Sequence, residues 1–459
     1  GEHCPLREEC FPRLARTKAD EADIVVTNHA LLGIQASGTP VLPESHAYII
    51  DEAHDLVDRV TTQLTRSLAG YDLRALARML RQAGLDDEGL IDVSDELADV
   101  LGGLKEGRIL RMNEALRDVV ARILGKVQSA GEQVSSLAGG NEEANATKHV
   151  LRSRLTALHE LCTDMLSDAV GQGSLVAWVS EFNDNRSLYI APLDVSASIA
   201  GTLFTDTPVV LTSATLKVGG SFDAMAGRVG FSYPSQGEWS GLDVGSPFDA
   251  RRQGILYVAE HLPAPGRDGY GEEHLQEIVD LISASQGGAL CLFTSRAGAT
   301  RAADFAREQL DFPILCQGED QLSTLLEEFT ADTAACLFGT LSLWQGVDVP
   351  GNTCRLVVID RIPFPRPDDP LIQARTQAAA EAGRNPFMAV SATHAALLLA
   401  QGAGRLLRRV DDRGVVAILD SRLRTARYAS FLLASLPGMW RTTDRDVVLC
   451  ALKRLSASA

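Results

Sequence analysis

HAYIIDEAHDLV, residues 46–57, carries the reading on which the fold turns. A short apolar run ends in two acids, and the chain then enters a helical pattern. Buried parallel strands read as continuous apolar runs, and their alternation with helices indicates α/β architecture. Asp51 and Glu52 therefore fall at the C-terminal end of a strand, where open α/β sheets bind their ligands. Asp51 there can hold Mg²⁺ through water, Glu52 can orient or deprotonate an attacking water, and His54 can relay the state of a bound nucleotide. The alternative is a polar helix start, since Asp is a good N-cap.

Upstream, PRLARTKADEA (12–22) reads as a polar helix and ADIVVTNHALLG (22–33) as a buried strand running into a turn. Downstream, from 58 to 172, the spacing becomes helical: Leu73, Leu76 and Leu80 share a face, then Leu97, Val100, Leu101 and Leu104. SSLAGGNEEANAT (135–147) breaks that pattern as an exposed turn. Strand character returns in SLVAWVS (174–180), SLYIAPL (187–193) and TPVVLTSATL (207–216). A connector over 217–248 ends in GSPFD. Six further apolar runs then alternate with helices: ILYVAE, GALCLFTS, FPILCQG, AACLFGT, RLVVIDRIPF and VVAILDSR. The division expected is a short leader (1–18), part of a first α/β domain (19–57), a helical insertion (58–172), the rest of that domain with a connector (173–248), and a second α/β domain (249–459).

Composition narrows the function. The 459 residues carry 43 Lys+Arg and 60 Asp+Glu, a formal charge of −17, with 45% hydrophobic and 22% charged residues. That is an ordinary soluble globular balance. It excludes a uniformly basic nucleic-acid coat, so a polyanion site must be a local groove. With aromatics at 5%, base-stacking platforms do not dominate. No apolar run reaches membrane-spanning length. Six of the eight cysteines lie singly in apolar segments, as small hydrophobes in a reducing cytoplasm would. Cys4 and Cys10 stand apart in a charged stretch, and two thiols are half of a four-cysteine site.

Three further constellations carry chemistry. Leu211-Thr212-Ser213-Ala214-Thr215-Leu216 follows an apolar strand and offers hydroxyls that could bridge to the DEAH side chains, or cap a helix. FGTLSLWQGVDVPG (338–351) has glycines, Gly346 among them, that let the backbone approach a ligand, and Asp348 could contact ribose or magnesium-bound water. QGAGRLLR (401–408) places Arg405 and Arg408 three apart on one helical face, where two guanidinium groups suit a γ-phosphate. A tight loop and a solvated basic face are the plain alternatives.

Together ADIVVTNHALL, DEAH, LTSATL, GSPFD, LFTS, GTLSLWQGVDVPG, IPFPRPDDP and QGAGRLLR resemble the DinG/XPD branch of superfamily 2 helicases, nearest the bacterial DinG group, over residues 1 to about 425. The resemblance implies two RecA-like motor domains, the first incomplete, with residues 58–172 as an inserted helical arch. It implies ATP and Mg²⁺ as cofactors, a [4Fe-4S] cluster in the intact protein, and 5′→3′ translocation on single-stranded DNA coupled to unwinding of forked or structured duplex DNA. Asp51 and Glu52 take the magnesium and water-activating roles, and Ser213 and Thr215 couple ATP to DNA. Thr294, Ser295, Arg296, Thr340 and Trp344 become candidates for DNA contact. Gly346, Asp348, Gln401, Gly404, Arg405 and Arg408 complete the ATP site. Cys4 and Cys10 become the last two cluster ligands, and Arg13, Arg16 and Lys18 face DNA nearby. QGAGRLLR differs from the ending of DEAH RNA helicases, which favours DNA. A monomer in the cytoplasm is expected.

One element departs from the resemblance. GxxxxGK[ST], whose backbone N–H groups and lysine cradle phosphates, does not occur: Gly125-Lys126 is followed by Val127, position 120 is Val, and SGTP (37–40) has no lysine. With Gly at position 1 and a half-set of cysteines, the expectation is the C-terminal portion of a longer helicase, inactive alone. The competing readings are a non-catalytic nucleic-acid-binding fragment and part of a nuclease–helicase fusion.

Overall fold

The computed structural model describes residues 9–137, 142–183, 185–205, 207–217, 220–233, 237–266, 271–340, 343 and 353–458. The chain divides into two compact units. The first comprises Gly1–Leu216, Asp223–Trp239 and Arg366–Arg384; the second comprises Lys217–Phe222, Ser240–Pro365 and Asn385–Ala459.

In the first unit, strands Tyr48–Ile50 and Val209–Leu211 pair in parallel, with Ile50 opposite Leu211. Leu32, Ile50, Leu56, Val60, Ile199 and Met225 build the core on one side of this pair. ADIVV is not the expected strand. Its apolar side chains are exposed, and the helix His29–Ala36 begins directly after it, capped where the Asn28 side chain accepts the Leu31 N–H at 3.1 Å. Asn is a strong N-cap, so NHALL turns helical at its first residue.

Helix Leu56–Leu64 packs into the same core as Ile50. A separate core takes in elements from strand Arg66–Leu68 to strand Asn185–Pro192. SLVAWVS and SLYIAPL are not motor strands: Leu175–Phe182 and Asn185–Pro192 pair antiparallel, in a four-stranded sheet with Arg66–Leu68 and Gly107–Ile109 at its edges. Ala177, Val179, Leu188 and Ile190 point into a core built with helices Gly70–Gln82, Leu90–Gly102, Glu114–Ser136 and Glu142–Leu166. Asn183, at φ 49°, turns the hairpin. Alternation buries one face of a strand and reverses through a short Asn/Asp turn, which a parallel motor strand does not do. The helical break is also narrower than 135–147, since one helix ends at Ser136 and the next starts at Glu142.

The second unit carries a seven-stranded all-parallel sheet in the order Trp440–Thr442, Gly254–Val258, Gly414–Ile418, Leu356–Ile359, Ala289–Leu292, Cys336–Gly339, Ile314–Cys316. Six of these are the apolar runs read from the sequence. The short edge strand at 440 has too little apolar character to announce itself. Leu290, Val357 and Val416 face one core, and Cys291, Val358 and Ala417 face the other. Residues 366–384 are a second correction to the expected division. Helix Pro370–Glu381 packs on strands Leu175–Phe182 and Gly107–Ile109 of the first unit. It is fixed by Arg375 Nη1 to Asp58 Oδ1 at 3.1 Å and Arg108 Nη1 to Gln377 Oε1 at 3.0 Å. Among the described residues no helix is long and apolar enough to cross a membrane.

Candidate functional site

Because Ile50 and Leu211 are in register, Asp51 and Thr212 emerge side by side at the C-terminal strand ends. The Thr212 N–H donates to the Ile50 carbonyl at 2.8 Å, and the Ala53 N–H donates to the Thr212 carbonyl at 3.0 Å. The Thr212 hydroxyl donates to Asp51 Oδ1 at 2.5 Å. His29 Nε2 donates to the Asp51 carbonyl at 2.8 Å. The Asp51 carboxylate is solvent-exposed and oriented. One such carboxylate fits the usual mode of Mg²⁺, which takes one or two protein oxygens and keeps waters and phosphates for the rest.

Glu52 sits at φ 48°, ψ 40°, a left-handed conformation that is strained for a residue with a side chain. This bend swings its carboxylate towards Ser213, whose hydroxyl donates to Glu52 Oε2 at 3.1 Å. Ser213 Oγ also accepts from His54 Nδ1 at 2.8 Å and from the Thr215 N–H at 3.2 Å. His54 is buried and faces Asp55 Oδ1 through Nε2 and Glu52 Oε2 through Nδ1, each at 3.2 Å. Burial alone would push its imidazole pKa down, but hydrogen bonds and charges from Asp55 and Glu52 outweigh this and raise it to about 9. The ring is therefore an imidazolium at neutral pH, donating from both nitrogens. Glu52, His54, Ser213 and Thr215 thus form one connected cluster, with Glu52 held by a hydroxyl that also contacts His54, and the Asp51–Thr212 pair is a separate contact at the same strand ends.

In the second unit the predicted residues divide between the two ends of the sheet. At the C-terminal ends, the Thr294 N–H and hydroxyl donate to Asp360 Oδ1 and Oδ2, both at 3.2 Å. Ser295 caps helix Arg296–Gln309 by accepting the Gly298 N–H at 3.1 Å, and both Ser295 and Arg296 are exposed. The Thr340 N–H and hydroxyl donate to Gln317 Oε1 at 2.8 and 3.0 Å.

At the opposite ends, helix Thr393–Ala403 delivers buried Gln401 and stops at Gly404. Arg405 and Arg408 do not share a helical face, contrary to the reading of QGAGRLLR. Arg405 lies in a turn, its N–H donating to the Gly402 carbonyl at 3.1 Å. The N–H groups of Arg408 and Arg409 both donate to Asp412 Oδ2 at 2.7 Å. That buried carboxylate diverts the backbone from helix continuation. A Cβ on Gly414 would meet the Arg355 carbonyl at 2.3 Å and Leu406 Cδ1 at 2.6 Å, so the turn lies tightly against the strand beginnings.

Trp344, Gly346, Asp348 and Cys4 lie outside the described residues. Cys10 is half-exposed at the start of helix Phe11–Asp20, whose Arg13, Arg16 and Lys18 are exposed. Among the described residues no group of three His, Cys, Asp or Glu is placed to hold a metal, and Cys10 by itself does not hold a cluster. Sequence reasoning missed His29, Gln317, Asp360 and Asp412. The available signal was a polar residue at or just beyond the end of an apolar run, present for Gln317 and Asp360.

An acid pair at the end of a parallel strand pair in one unit, and a seven-stranded parallel sheet in the other, are the parts of a helicase motor. Residues 278–439 match the helicase C-terminal domain family. ATP-dependent helicase DinG of Mycobacterium tuberculosis is 47% identical over 99% of this chain and 69% of its own length. ATP-dependent DNA helicase YoaA of Escherichia coli is 32% identical over 97% of this chain and 71% of its own length. The solved structure of S. tokodaii Xpd4 shares the fold, with a TM-score of 0.58 at 15% identity over 90% of this chain and 80% of that one. The chain belongs to the DinG family of helicases.

Proposed function

We propose that this chain supplies the hydrolytic carboxylates, the arginines and the DNA path of an ATP-dependent DNA helicase that moves 5′→3′ on single-stranded DNA and opens forked or structured duplexes. The observation that carries the reading is the Asp51–Thr212 and Glu52–Ser213–His54 network. Asp51 would hold Mg²⁺, which when bound neutralises phosphate charge. Glu52 accepts the proton of the attacking water. Ser213, Thr215 and His54 tie that carboxylate to the segment after Leu211, which supports the coupling role. Gln401, Gly404, Arg405 and Arg408, with Gly346 and Asp348, line the nucleotide; Thr294, Ser295, Arg296, Thr340 and Trp344 belong to the DNA path. Cys4 and Cys10 would supply two thiolates to a [4Fe-4S] cluster. The protein works as a cytoplasmic monomer.

The 459 residues contain no phosphate-cradling GxxxxGK[ST]. Ile49 and Val210, on the parallel pair that carries Asp51, are 77% and 55% exposed, whereas parallel sheets are ordinarily covered on both faces. Both facts support a cradle and further strands contributed from outside these residues, and no appreciable turnover by the chain alone. The missing cradle also favours a second reading, a non-catalytic single-stranded-DNA-binding fragment. ATP hydrolysis with and without single-stranded DNA, on the chain and on Glu52→Gln, tests the proposal. The expected result is no DNA-stimulated turnover from the chain alone, and turnover that Glu52→Gln abolishes once a phosphate loop is joined to it. Turnover by the chain alone that Glu52→Gln abolishes would mean the phosphates are held without such a loop. Turnover indifferent to Glu52→Gln would remove Glu52 from the reaction.

A further inference from the structure

We propose that Asp360 is a positioning residue for the single-stranded-DNA path: its carboxylate fixes the Thr294–Arg296 turn, so that Ser295 and Arg296, and not Thr294, meet the phosphate backbone. The inference rests on the reading above that this turn contacts DNA.

Strand Leu356–Ile359 lies beside Ala289–Leu292 with Ile359 opposite Leu292, and the Asp360 N–H donates to the Leu292 carbonyl at 3.0 Å. Asp360 therefore emerges next to the turn that follows Leu292. It is 2% exposed, although an ionised carboxylate is costly to bury. Four donors converge on it: the Thr294 N–H and the Arg361 N–H on Oδ1 at 3.2 and 2.7 Å, and the Thr294 hydroxyl and Arg361 Nε on Oδ2 at 3.2 Å each. A carboxylate has about four acceptor sites, so this one is fully engaged in joining two strand-end turns. The Arg361 side is braced in turn, because the Ile362 N–H donates to Asp420 Oδ2 at 2.9 Å and Arg422 grips Asp420 through Nε and Nη2 at 2.9 and 2.7 Å.

The consequence for recognition is chemical. The Thr294 hydroxyl proton is committed to Asp360 and is not offered to a phosphate. Ser295 Oγ accepts from Gly298 as a cap and keeps its own proton for donation outward. Arg296 is exposed on the same turn, suited to a phosphate oxygen. Asp360 itself, buried and anionic, would repel DNA if it touched it. It acts by holding the turn.

The test is the affinity of the 459-residue chain for a fluorescein-labelled oligo(dT), read by anisotropy across a salt series. Arg296→Ala should weaken binding about tenfold and lower the salt slope by about one phosphate contact. Asp360→Ala and Thr294→Val should each weaken binding by a similar factor and lose the same slope. Adding either to Arg296→Ala should cost nothing more, since they act through the contact already removed. Asp360→Asn, whose Oδ1 still accepts both backbone N–H groups but whose amide nitrogen no longer accepts the Thr294 hydroxyl, should weaken binding about as much as Thr294→Val and less than Asp360→Ala. If Asp360→Ala does not fold, Thr294→Val, which leaves the carboxylate paired with Arg361, decides alone. Loss of affinity in Arg296→Ala but not in Thr294→Val or Asp360→Ala would overturn the positioning role while leaving the DNA path intact. Unchanged affinity in Arg296→Ala would overturn the DNA path at this turn, and the inference with it.

Discussion

Two parallel sheets grow from the same kind of sequence and end in different states. In the second unit seven strands stand side by side, and runs such as ALCL and LVVI are buried on both faces. In the first, YII and VVL pair only with each other among the described residues. Ile50 is buried, and Ile49 and Val210 face outward. Strand propensity is alike in the two places; lateral partners and covering helices are not. A parallel strand becomes a core element only when both of its faces are covered. Asp51 and Glu52 therefore stand at the end of the two-stranded pair, and Thr294, Ser295 and Thr340 stand at strand ends of the seven-stranded sheet.

The largest effect that separates the two is cavity formation. Phe338→Ala removes a fully buried ring stacked 5.9 Å from Phe293 and should cost about 3–5 kcal/mol in urea unfolding. Ile49→Ala, which removes an exposed side chain, should cost about 0.5 kcal/mol or less. Equal costs would erase the distinction between the sheets.

Next in size is a pH effect confined to the first sheet. His54 is raised from 6.5 to about 9 in the folded chain, so folding takes up a proton between those values. Its stabilisation is fully present below pH 6.5 and is lost as pH rises through about 9. In magnesium-free buffer the stability difference between the chain and His54→Gln should shrink by about 2 kcal/mol across that window. A pH-independent difference would contradict the imidazolium assignment.

The smallest effect concerns residues 366–384, which follow the second sheet in sequence and pack with the first unit. Arg375→Ala removes a part-exposed ion pair to Asp58. It should raise limited proteolysis within 366–384 by about 2–5-fold, as expected for a pair of about 0.5–1 kcal/mol. No change would separate this helix energetically from Asp58.

The same comparison explains what could be read in advance. The six apolar runs of the second sheet were legible because full burial makes a strand nearly uniform in composition. DEAH and LTSATL were legible because each places polar groups at a strand end. The hairpin at 175–192 resembles buried parallel strands until the Asn183 turn is given its weight. ADIVV resembles a strand until Asn28 is recognised as a cap. Arg405 and Arg408 have helical spacing, yet the helix stops at Gly404 and Asp412 captures the following amides. The supporting residues were hidden by distance along the chain: Asp360 reaches Thr294 across 66 residues, and Gln317 reaches Thr340 across 23. Those pairings are made by strand order, which no local pattern reports.

The most direct test of the contrast is amide hydrogen exchange resolved to the two sheets. The account predicts that amides of Tyr48–Ile50 and Val209–Leu211 exchange at least about a hundredfold faster than those of Ala289–Leu292 and Leu356–Ile359, because an uncovered sheet opens locally at lower cost. Equal protection in the two sheets would contradict it, and the carboxylates of Asp51 and Glu52 would then stand on a platform as firm as the second sheet.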